Sequence, residues 1–138
     1  MEKNKLESPG KSLIVLFSYH HNTEKIAKAM AKVLNAEIKM LDQINPEELP
    51  NYDLIGFGSG IYNAKHHKDL LDLADKLPLV ISKKAFLFST GALTGKAKAA
   101  KDHSKLRKKL QSKGYTILTN FNVNVLTQIA SLSYLGNE

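Results

Sequence analysis

Apolar residues gather in five short runs along the chain: SLIVLF (12–17), AEIKML (36–41), DLIGFG (53–58), KAFLFS (84–89) and YTILTNF (115–121). Each is the length of a strand, and most are continuous rather than alternating, the pattern of strands buried on both faces. Three of the gaps carry helical spacing. Ile26, Met30, Val33 and Leu34 recur at i, i+4, i+7 and i+8 and predict a first helix. Leu70, Leu71, Ala74 and Leu77 predict a second, which Pro78 ends, and Ala99, His103, Leu106 and Leu110 form a thin stripe on a third, at about 96–113. The order strand, helix, strand, strand, helix, strand, helix, strand predicts an α/β domain with a parallel sheet between helical layers. NPEELPNYD reads as a turn-rich link with at most one helical turn, and residues 1–10 as a flexible terminal segment. No repeat or linker divides the chain, so residues 1–138 are expected to form one domain.

Composition narrows the chemistry. The chain has no cysteine, which rules out a disulfide, a thiolate metal ligand and an iron–sulfur cluster held by this chain. Redox chemistry would need a bound cofactor. No run of about 18 apolar residues and no charged-then-apolar leader occurs, since MEKNKLESPGK is polar, so a soluble, cytoplasmic protein without a membrane partner is expected. The net charge of +7 is regional: Lys83 to Lys113 holds ten Lys or Arg against Asp102 alone. Such a segment is either a solvated helix face or a surface for an acidic partner, and nucleic acid is not the expected ligand.

In parallel α/β sheets ligands bind beyond the carboxyl ends of the strands, which puts weight on SYHHNT (18–23), SGIYNAKHH (59–67) and STGALTG (89–95). The first lies directly before a helix, where backbone N–H groups lack partners. Ser18, Asn22 and Thr23 suit either a helix cap or a phosphate resting on those donors, with Glu24 favouring the helix dipole. Two histidine pairs, His20–His21 and His66–His67, follow strands expected to be neighbours. They lack a carboxylate at ligand spacing, so no metal site is assigned. They read as solvent-facing loop residues, or as one imidazole lending positive charge to a phosphate. His103, on an apolar stripe, reads as a packed, hydrogen-bonded side chain. GALTGKA is too short before its lysine for a P-loop, and GFGSGI lacks the last glycine of a dinucleotide fingerprint.

Across Ser12 to Phe121 this series of strands and loops resembles the flavodoxin-like family, in its short-chain form. SYHHNT is similar to the family's hydroxyl-rich phosphate loop at Ser18, Asn22 and Thr23, and departs from it at His20 and His21. The resemblance implies a three-layer sandwich around a five-stranded parallel sheet of order 2-1-3-4-5, and a bound FMN. It implies a phosphate site at Ser18, His20, Asn22 and Thr23. It also implies a ring-side loop at Ser59, Gly60, Ile61, Tyr62 and Asn63, with Tyr62 packing on the isoalloxazine, and a pyrimidine-edge loop at Ser89, Thr90 and Gly91. From the residues alone Tyr62 could equally pack on a protein neighbour with its hydroxyl in water. A peptide near Asn63 and Ala64 is the candidate for contact with flavin N5. The implied function is electron transfer by a flavin, to a redox partner that, given this chain's basicity, presents an acidic surface. Two alternatives stand beside it: an oxidoreductase acting on a quinone or porphyrin precursor, and a cofactor-free binding module that uses the basic helix. The segment VLTQIASLSYLGNE is shorter than the family's last helix. Leu126, Ile129, Leu132 and Leu135 predict a short closing helix, and a homodimer through the sheet face is expected where that helix does not cover it.

Overall fold

The computed structural model describes residues 10–17, 22–62, 65–90, 101 and 103–123, the side chains of Asn22 and Tyr62 excepted. Among the described residues five parallel strands, β1 (Ser12–Phe17), β2 (Glu37–Met40), β3 (Leu54–Tyr62), β5 (Lys83–Thr90) and β6 (Tyr115–Val123), lie in the order β2-β1-β3-β5-β6. With β5 and β6 as the fourth and fifth parallel strands, this is the 2-1-3-4-5 arrangement expected from the sequence. β4 (Lys65–His66) was not anticipated; it folds back antiparallel on the end of β3, pairing Ile61 with His66 and Tyr62 with Lys65.

Among the described residues three helices cover the sheet: α1 (Asn22–Leu34), α2 (Lys68–Lys76) and α3 (Ser104–Ser112). α1 ends where Asn35 turns left-handed at φ 55° and the Ala36 N–H reaches back to the Ala31 carbonyl, a closure that asparagine tolerates better than most residues. The link from β2 to β3 holds two 3-10 segments, Leu41–Gln43 and Pro46–Asn51, more helical structure than the sequence suggested. The side chain of Asn45 starts the second by accepting from the Glu47 N–H.

Alternation along each strand splits the core in two. On the side of α2 and α3, Leu13, Val15, Ile55, Phe57 and Leu87 pack against Leu70, Leu77, Leu106 and Leu110. On the side of α1, Ile14, Leu16, Phe86 and Phe88 meet Ala27 and Ala31. The sequence stripe on α1 was partly misplaced. Thr23, Ala27 and Ala31 form its buried line, whereas Val33 is 85% exposed. Small side chains let this helix lie close to the sheet. The segment GFGSG is likewise explained by packing: Gly56 and Gly58 pair with Phe86 and Phe88, and a Cβ at Gly58 would lie 2.1 Å from Phe88 Cζ. Those glycines make room for two rings. Among the described residues no helix is long and apolar enough to cross a membrane.

Candidate functional site at the carboxyl ends of the strands

The strand register lines up the chemistry. Phe17 pairs with Ser59, Ser59 with Ser89, and Ser89 with Asn122, so one row of residues crosses the sheet at its carboxyl edge. The next row holds Gly60, Thr90 and Val123. Ser59 and Thr90 therefore belong to strands, since β3 runs on to Tyr62 and β5 to Thr90, beyond the ends read from the sequence. An apolar-run criterion stops at the first serine, although the ladder hydrogen bonds do not.

The two faces of this edge differ. On the α1 face the Thr23 and Thr90 hydroxyls lie 2.7 Å apart, both buried, joining the first turn of α1 to the end of β5. Thr23 is thus both in the helical turn expected to meet an anion and bonded to the strand beneath it. On the opposite face Ser59 Oγ donates to the Gly60 carbonyl at 2.6 Å and accepts from the His67 N–H at 3.1 Å, so its one hydroxyl proton is committed within the protein. His67 caps α2: its Nδ1 accepts from the Asp69 N–H at 3.0 Å, and its ring stacks on Phe17 with centroids 3.9 Å apart. The 3.9 Å approach of that same Nδ1 to the Asp69 carboxylate is no ion pair while the nitrogen serves as an acceptor.

His66 corrects the expectation of a solvent-facing loop residue. It has no exposed surface, and its Nε2 lies 3.0 Å from the Phe88 carbonyl. A histidine pair after a strand gave no sign that a short hairpin would turn one ring inward and leave the other to cap a helix. His103 is packed and hydrogen-bonded as expected, with Nε2 2.6 Å from Ser89 Oγ. Asn122, which sequence reasoning missed, donates from Nδ2 to Ser89 Oγ at 3.0 Å. It lies one residue beyond the run YTILTNF, where the strand continues to Val123.

Of the residues singled out from the sequence, Thr23, Ser59, Gly60, Ser89 and Thr90 are brought together at this edge. Ile61 and Tyr62 stand in the adjoining hairpin. Asn22 opens α1. Ser18, His20, Asn63 and Gly91, together with the closing segment after Val123 and the terminal residues 1–9, lie outside the described residues. A cleft of about 610 Å³ flanks the edge on the β2 side, between the 3-10 segments and α2. Apart from Phe17 it shares no residue with the row above, its walls being Met40, Leu73 and neighbours with Asp42, Asp69 and Asp72.

Comparison with known proteins decides the family, because the flavodoxin domain model matches residues 13–128. This chain belongs to the flavodoxin domain family. An uncharacterized protein of Methanocaldococcus jannaschii is 50% identical to this flavodoxin domain over 112 residues, 80% of this chain and 73% of that protein. Among solved structures, oxidised flavodoxin 1 from Bacillus cereus superposes with a TM-score of 0.64 at 24% identity, covering 90% of this chain and 94% of its own. A Fusobacterium nucleatum flavodoxin bound to flavin mononucleotide gives 0.61 at 13% identity, covering 78% and 69%. At such identities the structural likeness is a likeness of fold.

Proposed function

We propose that this flavodoxin domain binds FMN at the carboxyl edge of its sheet and carries electrons to a protein partner with an acidic surface. The observation that carries the reading is the convergence of Thr23, Gly60, Ser89 and Thr90 at one edge, in a fold whose family includes a structure holding flavin mononucleotide. The donor set suits that ligand. Four residues separate the end of β1 from α1, which runs for 13 residues, so its first-turn N–H groups and dipole favour an anion there. Ser18, His20, Asn22 and Thr23 would hold the phosphate. Gly60, Ile61, Tyr62 and Asn63 would flank one side of the ring, with Ser59 bracing that segment from below, and Thr90 and Gly91 would edge the other, with Ser89 buried behind them. The flavin supplies the redox chemistry, one or two electrons at a time, and the chain supplies orientation and electrostatics.

The test is a comparison of FMN with riboflavin. Charge-assisted hydrogen bonds contribute roughly 1.5–3 kcal/mol each and an aromatic stack about 0.5–1.5 kcal/mol, so phosphate contacts should dominate the preference. FMN is expected to bind more tightly than riboflavin. Ser18→Ala with Thr23→Ala should narrow the preference, and Tyr62→Ala should weaken both flavins and reduce the quenching of their fluorescence. Equal affinity of the folded protein for the two flavins would reject the phosphate site.

A further inference from the structure

The α2 and α3 side of the strand ends holds a buried polar cluster. His66, Ser89 and His103 have no exposed surface. Burying such groups is costly unless their hydrogen bonds are made, and the bonds made here hold separate elements together. Each member ties a different element. His66 Nε2–H donates from β4 to the Phe88 carbonyl of β5, since a carbonyl can only accept. Ser89 Oγ and His103 Nε2 share a 2.6 Å hydrogen bond between β5 and the start of α3. Asn122 Nδ2 reaches Ser89 Oγ and, at 3.4 Å, the Ser89 carbonyl from β6. The two imidazoles face each other with centroids 4.7 Å apart and planes tilted by 43°, which closes the cluster.

We propose that His66, Ser89, His103 and Asn122 are positioning residues for the ring side of the cofactor site. The inference rests on the FMN reading above. β4 is two residues long and among the described residues pairs with β3 alone, and a hairpin so small is not rigid by its ladder. The strand it fastens carries Gly60, Ile61 and Tyr62, the ring-side residues. His66 is the hairpin's side-chain link to β5, and the Ser89–His103–Asn122 bonds fix the point on β5 to which it is tied. None of the four needs to touch the flavin. They set the separation between the end of β3 and the end of β5, and with it the width of the slot for the ring.

The consequence separates this role from that of the phosphate residues. Loosening the cluster should weaken FMN and riboflavin by the same factor, because both present the same ring, whereas phosphate-site changes alter the ratio between them. His66→Leu and Ser89→Ala are each expected to lower the affinity for both flavins roughly tenfold, the scale of one buried hydrogen bond. Their FMN-to-riboflavin ratio should stay at the wild-type value. His66→Gln, which keeps a donor near the Nε2 position, should recover most of the loss. The titrations are run on the full chain well below its melting temperature, with folding checked by circular dichroism. Should His66→Leu fail to fold, Asn122→Ala, at a half-buried position, carries the same expectation with a smaller factor. Wild-type affinity in folded His66→Leu, Ser89→Ala and Asn122→Ala would overturn the positioning role and leave the FMN reading standing. A ratio that falls along with the affinity would overturn it too, by pointing to a general loosening of the fold. Wild-type protein that binds neither flavin would overturn both.

Discussion

At the scale of single residues, two positions show how closely this sheet is filled. Gly58 faces the ring of Phe88, which is wholly buried and lies with centroids 6.2 Å from Phe121 and 6.1 Å from Phe86. A methyl at Gly58 has nowhere to go unless that ring stack shifts, and overpacking of this kind costs about 1–3 kcal/mol. Gly58→Ala is expected to lower the urea midpoint accordingly, with an unchanged slope. Tyr115 has the opposite difficulty. It is 3% exposed, its ring meets Phe57 edge-on, and its hydroxyl is buried without a hydrogen-bond partner among the described residues. Burial pushes its phenol up from the ordinary 10.0 to about 12. The group is therefore neutral in the fold where the unfolded chain has begun to ionise. Its contribution is complete below pH 10 and is lost as pH rises from 10 to 12, by at most about 2–3 kcal/mol. Tyr115→Phe should leave neutral-pH stability unchanged or raise it by about 1 kcal/mol, since it removes an unsatisfied hydroxyl. It should also shift the alkaline unfolding transition upward, as read by circular dichroism against pH. An identical alkaline transition in the two proteins would contradict the assignment.

At the scale of elements, α3 combines two roles that its charge run does not separate. Lys109 Nζ lies 2.7 and 2.9 Å from the two Asp75 oxygens, and Lys113 Nζ donates to the Asp75 carbonyl, so these lysines tie α3 to the end of α2. Lys105, Arg107 and Lys108 have no ion pair among the described residues and form the outward charge. Converting those three to glutamine should leave stability within about 0.5 kcal/mol while slowing association with an acidic redox partner. The effect should be large at 0.1 M salt, where the Debye length is about 10 Å, and nearly absent at 1 M, where it is about 3 Å. Stopped-flow association rates that ignore both salt and substitution would remove α3 from the docking surface. Lys109→Gln belongs in a separate variant, because it also breaks the tie to Asp75. The same contrast marks what was legible in the sequence. Strand and helix order could be read because burial on both faces leaves long apolar runs such as LIVLF, and the loops could be placed because ligands gather at one end of such a sheet. Ser59, Ser89 and Thr90 could be named as site residues, but the place of Ser59 and Thr90 inside strands was hidden, since hydroxyls in a ladder look like a loop in a hydropathy pattern. The His66 hairpin was hidden for a different reason. A two-residue strand has no period to detect, and its burial is decided by a carbonyl 22 positions away.

At the scale of the whole molecule, the two faces of the sheet are unequally covered. The α2 and α3 face holds the larger core, while α1 alone among the described helices lies on the other, its alanines packed with Ile14 and Leu16 of β1 and Phe86 and Phe88 of β5. What remains between α1 and β6 is an apolar groove of about 510 Å³, walled by Met30, Val33, Leu34, Phe86, Leu118 and Phe121. Leu118 is the extra residue of a bulge: Ala85 pairs with Ile117 but Phe86 with Thr119, which leaves Leu118 54% exposed at the rim. Stable monomers rarely leave a continuous apolar surface of this kind in water. The sequence itself contains a match, because Leu126, Ile129, Leu132 and Leu135 recur at three-residue steps with no charged residue between them. About ten helical residues span about 15 Å, close to the length of a strand. Replacing Leu126, Ile129 and Leu132 with serine in the full chain is therefore expected to uncover the groove. Binding of a hydrophobic dye should rise, and the mass in light scattering should move toward that of a dimer. Adding Val33→Lys and Leu118→Lys to that variant should return it to a monomer, because charges at the rim cannot be buried between two copies without partners. If the serine variant stays monomeric and binds no dye, the segment after Val123 is not what covers this face.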